Sequence, residues 1–461
     1  MKMREETDSM GVVRVPEDAY YGAQTQRAVE NFRMSDLRFP PAFIHALGLI
    51  KKHAAGVNLD LGQLDQKRAR AIQASAGEVV EGKLDAQFVV DLFQTGSGTS
   101  TNMNANEVIA GRSNEMLAGS RGGKSPVHPN DHVNLGQSSN DAIPTALHVA
   151  ALTGIVHGLL PAMGGLQKSL EEKAETFASI RKIGRTHLQD AVPMSLGQAF
   201  GGYARQIALG IERMKAVEPR LSELALGGTA VGTGMNTHPE FARRVIEGIS
   251  GETGCAFREA RDHFEAQGAR DAAVETSGAL KTLAVSLIKI ANDLRWLSSG
   301  PRCGLGEMRL PALQPGSSIM PGKINPVIPE AVIQAAGQVI GNDAAVTFGG
   351  QAGNLELNVT MPLIAHNLLQ SIDLLRHAAV SLAEKCIKDL SAHETRLRTY
   401  LEQSLALATA LVPAVGYDRA AVLAKEAYRT GKTVRETALA QGILPEAEIH
   451  RILDQAISGR P

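Results

Sequence analysis

The run Val274-ETSGALKTLAVSLIKIANDLRWLS-Ser299 decides the fold class. Leu280, Leu283, Leu287, Ile290, Leu294 and Leu297 recur every three or four residues, the spacing of one face of an α-helix. Its centre, LAVSLIKIA, is apolar on more than one stripe, as expected of a helix buried on several sides. Four further segments carry the same period. Residues 361–388 present Ile364, Leu368, Ile372, Leu375, Ala379 and Leu382. Phe200, Tyr203, Ile207, Ile211 and Met214 mark another. Residues 142–178 are interrupted at Pro161, where a kink is expected, and residues 327–348 complete the set. Helices of about 25 residues span roughly 37 Å, so the five predict a long bundle. A lone bundle would leave some apolar faces wet, which predicts an oligomer.

Three regions are expected around this centre: a mixed, mostly helical domain over 1–138, the five-helix bundle over 139–394, and a small helical domain over 395–461. The first begins extended (VPEDAYYGAQT); the last is broken by VGYD, RTGKT and QGILPEAE. That last pattern loosely resembles a helix-turn-helix. The 461-residue chain has a formal net charge of −1 and no basic cluster, so no nucleic-acid partner is expected. Hydrophobic residues at 44% and charged ones at 21% suit a soluble globular chain, and 4% aromatics favour helix over sheet. Cys255, Cys303 and Cys386 form no CxxC pair, so no disulfide framework or zinc ribbon is expected. The N-terminal MKMREETDSMG lacks an apolar core for a secretory signal. No membrane partner is expected, on the reading that no uncharged apolar run approaches the roughly 20 residues of a span. The expected location is the cytoplasm.

Between two of the helical segments lies PGSSIMPGKINP, Pro315 to Pro326, too rich in Pro and Gly for a regular element. It is not a phosphate-binding P-loop: Pro321 stands where the second glycine is needed, and Ile324 follows Lys323 where a hydroxyl is needed. A plain connector would have no use for Ser317, Ser318, Lys323 and Asn325 so close together. QTGSGTSTNMNANE (94–107) sets Ser97, Thr99, Ser100 and Thr101 ahead of a helical run, either as simple caps or as an anion site. HPNDHVNLGQSSNDAIPT (128–145) places Ser138, Ser139, Asn140 and Asp141 before another helix start. GRTHLQDAVP (184–193) carries Thr186 and His187, and Glu330 follows the loop closely. The shared theme is hydroxyls and amides at helix starts, one Lys and one His, without a metal-ligand set. That suits a small dicarboxylate handled by acid–base chemistry.

Taken together, these stretches resemble the fumarase/aspartase superfamily. GSSIMPGKIN is similar to its long signature GSSxxPxKxN, and QTGSGTSTNMNANE, HPNDHVN, QSSND, GRTHLQDA, GGTAVGTGMNT, SGPRCGLGE and GNLELNV resemble its other blocks. The match runs from DAYYGAQTQRAVENF to GYDRAAVLAKEA and is nearest to the class II, iron-independent fumarate hydratases. The resemblance implies a mainly α, three-domain fold, a homotetramer with active sites shared between subunits, and no cofactor or metal. It implies the reversible anti addition of water to fumarate, giving L-malate through an aci-carboxylate, a step of the tricarboxylic acid cycle. Ser317 is then the general base, stabilised by loop N–H groups and Lys323; Lys323 and Asn325 hold the aci-carboxylate; and His187, paired with Glu330, serves the opposite face. Ser97, Thr99, Ser138, Ser139, Asn140 and Thr186 hold carboxylates. A second dicarboxylate site maps to His128, Asn130 and Asp131, but Ser125-Pro126 stand where the family often has a basic residue upstream. The rival reading is an aspartate ammonia-lyase using the same loop.

Overall fold

A computed structural model describes residues 2–458. Five long helices carry the architecture: Ser139–Gly154 continuing through Leu160–Thr176, Leu196–Leu221, Asp271–Leu297, Val327–Gly350 and Met361–Leu382. All five periodic segments of the sequence are helical, because in each the apolar stripe is buried. Leu280, Leu283, Leu287, Ile290 and Leu294 are all buried, as are Ile364, Leu368, Ile372, Leu375 and Leu382. The helices are also stitched by buried polar contacts. Ser277 donates to Asp343 at 2.9 Å, and Asn342 Nδ2 reaches Gln370 Oε1 at 2.9 Å and Ser371 Oγ at 3.1 Å. Tyr203 donates to Asp293 at 2.8 Å.

The chain divides into two compact units. One comprises residues 1–161, 210–284 and 335–376; the other comprises 162–209, 285–334 and 377–461. The first opens with an antiparallel hairpin, Met3–Asp8 against Gly11–Pro16, followed by the helices Ala23–Asn31, Pro41–Asp60, Gln66–Val80 and Thr99–Ala118. The second contains the hairpin Arg181–Thr186/Gln189–Ser195 and the short helices after Glu394. Those last helices share their own small core of Leu407, Leu411, Leu423, Val434, Ile449 and Leu453.

Two expectations need correction. The helix is not interrupted at Pro161, which lies inside Leu160–Thr176. A single wide π-type turn at Ile155–Leu159 precedes it, absorbing the missing proline N–H while the helix continues to Thr176. Residues 142–167 also form a charge-free run, and the helix Ser139–Thr176, which contains an 18-residue window of mean hydropathy 1.6, is long and apolar enough to cross a membrane by length and composition. Buried core helices pass the same test, and here Ile143, Ala146, Leu147, Ala150 and Ala151 are in the core.

Leu287 is fully buried while Met10, at the tip of the first hairpin, is 79% exposed. Leu287→Ala should cost about 2–5 kcal/mol, read as a lower denaturation midpoint. Met10→Ala should leave the midpoint unchanged.

Candidate active site

The loop from Pro315 to Pro326 closes on itself. Gly316 N donates to Lys323 O at 2.7 Å, and Asn325 Nδ2 donates to Gly316 O at 2.6 Å. A Cβ at position 316 would lie 2.5 Å from Lys323 O and 2.8 Å from Asn325 N, so only glycine fits. Inside the closed loop, Ser317 Oγ accepts the N–H groups of Ile319 at 3.2 Å and Met320 at 3.0 Å. Two amides aimed at one oxygen form a small anion nest and favour the deprotonated hydroxyl. Lys323, Asn325 and Glu330 line one cavity of about 780 Å³, together with Arg295, Trp296 and Arg309. Ser317 does not line that cavity; the loop backbone ties it to Lys323 and Asn325.

His187 and Leu188 form the two-residue turn of the second hairpin, between the paired Thr186 and Gln189. Their φ values are +55° and +60°, the mirror-image turn that matches strand twist and ordinarily calls for Asn-Gly. Both side chains are exposed. The strand behind them is anchored by Arg185 Nη2, 2.6 Å from Oε1 of Glu307, a carboxylate with no exposed side-chain surface. Lys182 Nζ lies 3.7 Å from Glu307 Oε2, and burial pushes its ammonium pKa down. Sequence reasoning quoted the segments containing Arg185 and Glu307 without giving either a task. A charged residue on a strand next to the candidate histidine, and a Glu closing a glycine-rich segment, were the available signals. The expected pairing of His187 with Glu330 is not formed within this chain: among the described residues no hydrogen bond or ion pair joins them.

The hydroxyl segments do converge. Ser97 Oγ lies 2.7 Å from Thr99 Oγ1, and Thr99 Oγ1 lies 2.7 Å from Ser139 Oγ. Gly98, at φ +72°, turns the chain into the Thr99–Ala118 helix. Gly96 presses so closely on Val359 that a Cβ would sit 1.7 Å from its carbonyl oxygen. Ser138 caps the Ser139–Gly154 helix in a capping box with Asp141, and Asn140 Nδ2 donates to Ala230 O at 2.8 Å. The result is a chain of three hydroxyls at two helix starts whose two mutual hydrogen bonds leave one proton free to donate to a carboxylate. Thr186 ends the first strand of the Arg181–Thr186/Gln189–Ser195 hairpin, which belongs to the other unit. His128 Nδ1 accepts the N–H groups of Asn130 and Asp131, each at 3.1 Å, and caps the Pro129–Val133 turn. Asp131 Oδ2 stands 3.5 Å from the same nitrogen. These three residues are thus contiguous and engaged with one another. Among the described residues, no group of three or more His, Cys, Asp or Glu could hold a metal ion.

A bundle of long helices thus carries a self-closed Ser-Lys-Asn loop and hydroxyl-lined helix starts. A lyase family model matches residues 11–341, and a fumarase C C-terminal model matches residues 407–456. The class II fumarate hydratase of Halobacterium salinarum is 57% identical over 98% of this chain and 96% of its own length. That of Nitrosomonas europaea is 54% identical over 95% of each. The crystal structure of a recombinant class II fumarase from Schistosoma mansoni superposes with a TM-score of 0.95 at 39% identity, covering 99% of this chain and 98% of that one. The chain belongs to the class II fumarate hydratase family.

Gly316→Ala should force the loop apart, because its Cβ meets backbone rather than a yielding side chain. Losing the oriented donors should lower turnover by about a hundredfold while thermal unfolding stays unchanged. Wild-type turnover in this variant would show that loop closure is dispensable.

Proposed function

We propose that the chain catalyses the reversible hydration of fumarate to L-malate, with Ser317 as the base that acts on carbon. The observation that carries this assignment is the pair of N–H groups, from Ile319 and Met320, directed at Ser317 Oγ. In the malate-to-fumarate direction the Ser317 alkoxide takes a proton from C3. The electron pair moves into the adjacent carboxylate, giving the aci form with an extra negative charge. Lys323 and Asn325 stabilise that charge, each well-placed donor contributing about 3 kcal/mol. The C2 hydroxyl then leaves from the opposite face with a proton from the His187 side, so that water and fumarate are the products. Thr186 and the Ser97, Thr99, Ser138, Ser139 and Asn140 cluster hold the carboxylates. The fumarate hydratase relatives favour loss of water over loss of ammonia.

The wider setting is also a proposal. Val285, Ile340, Phe348 and Val380 lie exposed on the long helices, which supports a homotetramer in which facing bundles cover them. In such an assembly His187 can meet Glu330 of another subunit, and sites are shared between chains. Three unpaired cysteines, two of them buried, support a reducing compartment, the cytoplasm. No cofactor or metal ion enters the proposed chemistry.

Purified protein given L-malate should generate fumarate absorbance in the ultraviolet, with L-aspartate inert and EDTA without effect. The opposite substrate preference would make it an ammonia-lyase. Ser317→Ala should lower kcat about 10²- to 10⁴-fold with an unchanged melting temperature, and near-normal kcat would remove the base assignment. His187→Asn keeps a residue that tolerates positive φ, so a severe loss of kcat there reports chemistry rather than a broken turn. Light scattering should give four times the mass of one chain; the mass of a single chain would overturn the shared-site reading.

A further inference from the structure

Lys51, on the Pro41–Asp60 helix, has no exposed surface. Burying an ammonium costs several kcal/mol unless its protons are engaged. Here Lys51 Nζ donates to Asn134 Oδ1 at 2.9 Å and to Gln137 Oε1 at 2.8 Å. Both acceptors belong to the short strap, 134–137, that leads directly into Ser138. Asn58, two turns further along the same helix face, donates to Leu135 O in that strap at 3.1 Å. The strap is braced internally as well: Asn134 Nδ2 donates to Gln137 O at 3.1 Å, and Gln137 Nε2 donates to Val133 O at 3.2 Å.

Asn134 Oδ1 is the hub. Besides Lys51 it accepts Asn102 Nδ2 and Asn106 Nδ2, each at 3.2 Å. Those two asparagines are buried one turn apart on the Thr99–Ala118 helix, whose first residue is Thr99. One carbonyl oxygen thus gathers donors from two helices and joins the segment that carries Thr99 to the segment that carries Ser138, Ser139 and Asn140. Beyond the strap lies Asp141, also fully buried. It accepts N–H groups from Ser138 at 2.9 Å, Gly227 at 3.1 Å and Thr229 at 2.9 Å. Its field favours the charged form of Lys51, against a burial that pushes the ammonium pKa down to about 7. Burial likewise pushes the Asp141 carboxyl up to about 6. A hydrophobic residue of similar length would fill the same space without these costs.

We infer that Lys51 is a positioning residue for the dicarboxylate: through Asn134 and Gln137 it fixes the register between Thr99 and the Ser138–Asn140 segment, so that the hydroxyls converge on a carboxylate. It touches no substrate. The inference rests on the proposed hydratase reading and adds to it the anchor that sets the spacing of the carboxylate-binding groups.

The test is Lys51→Met, which keeps the side chain's length and removes its donors, with Gln137→Met and the double variant, all on the full chain with fumarate. In Lys51→Met, KM should rise roughly tenfold or more while kcat falls much less, and the melting temperature should fall modestly because Gln137 Oε1 loses its donor. Gln137→Met should raise KM in the same direction, and the double variant should add little to either single one. KM values within twofold of wild type would overturn the inference, as would strictly additive effects. Equal losses in kcat and stability with KM unmoved would make Lys51 merely structural and also overturn it. If Lys51→Met fails to fold, Gln137→Met alone decides by the same KM criterion. Wild-type protein that does not hydrate fumarate would fail the hydratase reading itself, which separates the two failures.

Discussion

The proposed role of Ser317 requires an alkoxide, whose negative charge must be held before it can take a proton from carbon, and the folding of one loop onto itself supplies two N–H groups to that oxygen. The hydrogen bonds from Gly316 N to Lys323 O and from Asn325 Nδ2 to Gly316 O set the loop's closure. The N–H groups of Ile319 and Met320 are thereby turned inward to Ser317. The same closure keeps Lys323 and Asn325 at one cavity wall. The proposed base and charge-stabilising groups are therefore a single mechanical object. Their mutual geometry depends on about a dozen residues of chain, and the long helix that follows from Val327 provides a rigid exit.

The other polar groups follow a related rule. Hydroxyls and amides stand at element ends, where backbone N–H groups are unpaired and carboxylates are welcome. Element ends are also where a chain frays, and this protein counters that with charges buried behind them. Glu307 stands behind the His187 hairpin through Arg185, and Lys51 stands behind the Ser138 strap through Asn134 and Gln137. Buried charges add little net stability, but they have few alternative partners. A strap held by an ammonium in a dry interior has one geometry, whereas a strap packed on leucines would have several of similar energy. The arrangement spends stability on placement, as expected where catalysis depends on tenths of an ångström.

Those two layers differ in how well the sequence displays them. Periodic apolar residues specify the five helices outright, because burial of a stripe repeats every three to four positions along each of them. Proline and glycine mark the 315–326 loop, and hydroxyls ahead of apolar runs mark the helix starts. The anchors were not legible: Lys51 sits in an IKKH run that reads as a solvated face, and Glu307 reads as one acidic residue among many. Their task exists only after distant segments meet. The π-type turn before Pro161 was hidden for a local reason, since a helix can absorb a missing N–H by widening rather than breaking. The charge-free run at 142–167 was misjudged because its histidines, threonines and glycines dilute the apolar pattern without charging it.

The His187–Leu188 turn shows the same preference for placement in the backbone itself. Two non-glycine residues at positive φ cost of order 1–3 kcal/mol each, and Asn-Gly would relieve that strain at once. The hairpin nevertheless forms, because pairs from Arg181–Ser195 to Thr186–Gln189 and the buried Arg185–Glu307 contact hold both strands. On a strand, an imidazole would project from one sheet face and share it with neighbours two residues away. At the tip of a two-residue turn it stands clear of both faces, exposed, on a base only two strands wide. The role proposed for His187, meeting a substrate held by other segments, needs that reach, and a strained turn delivers it without the mobility of a longer loop.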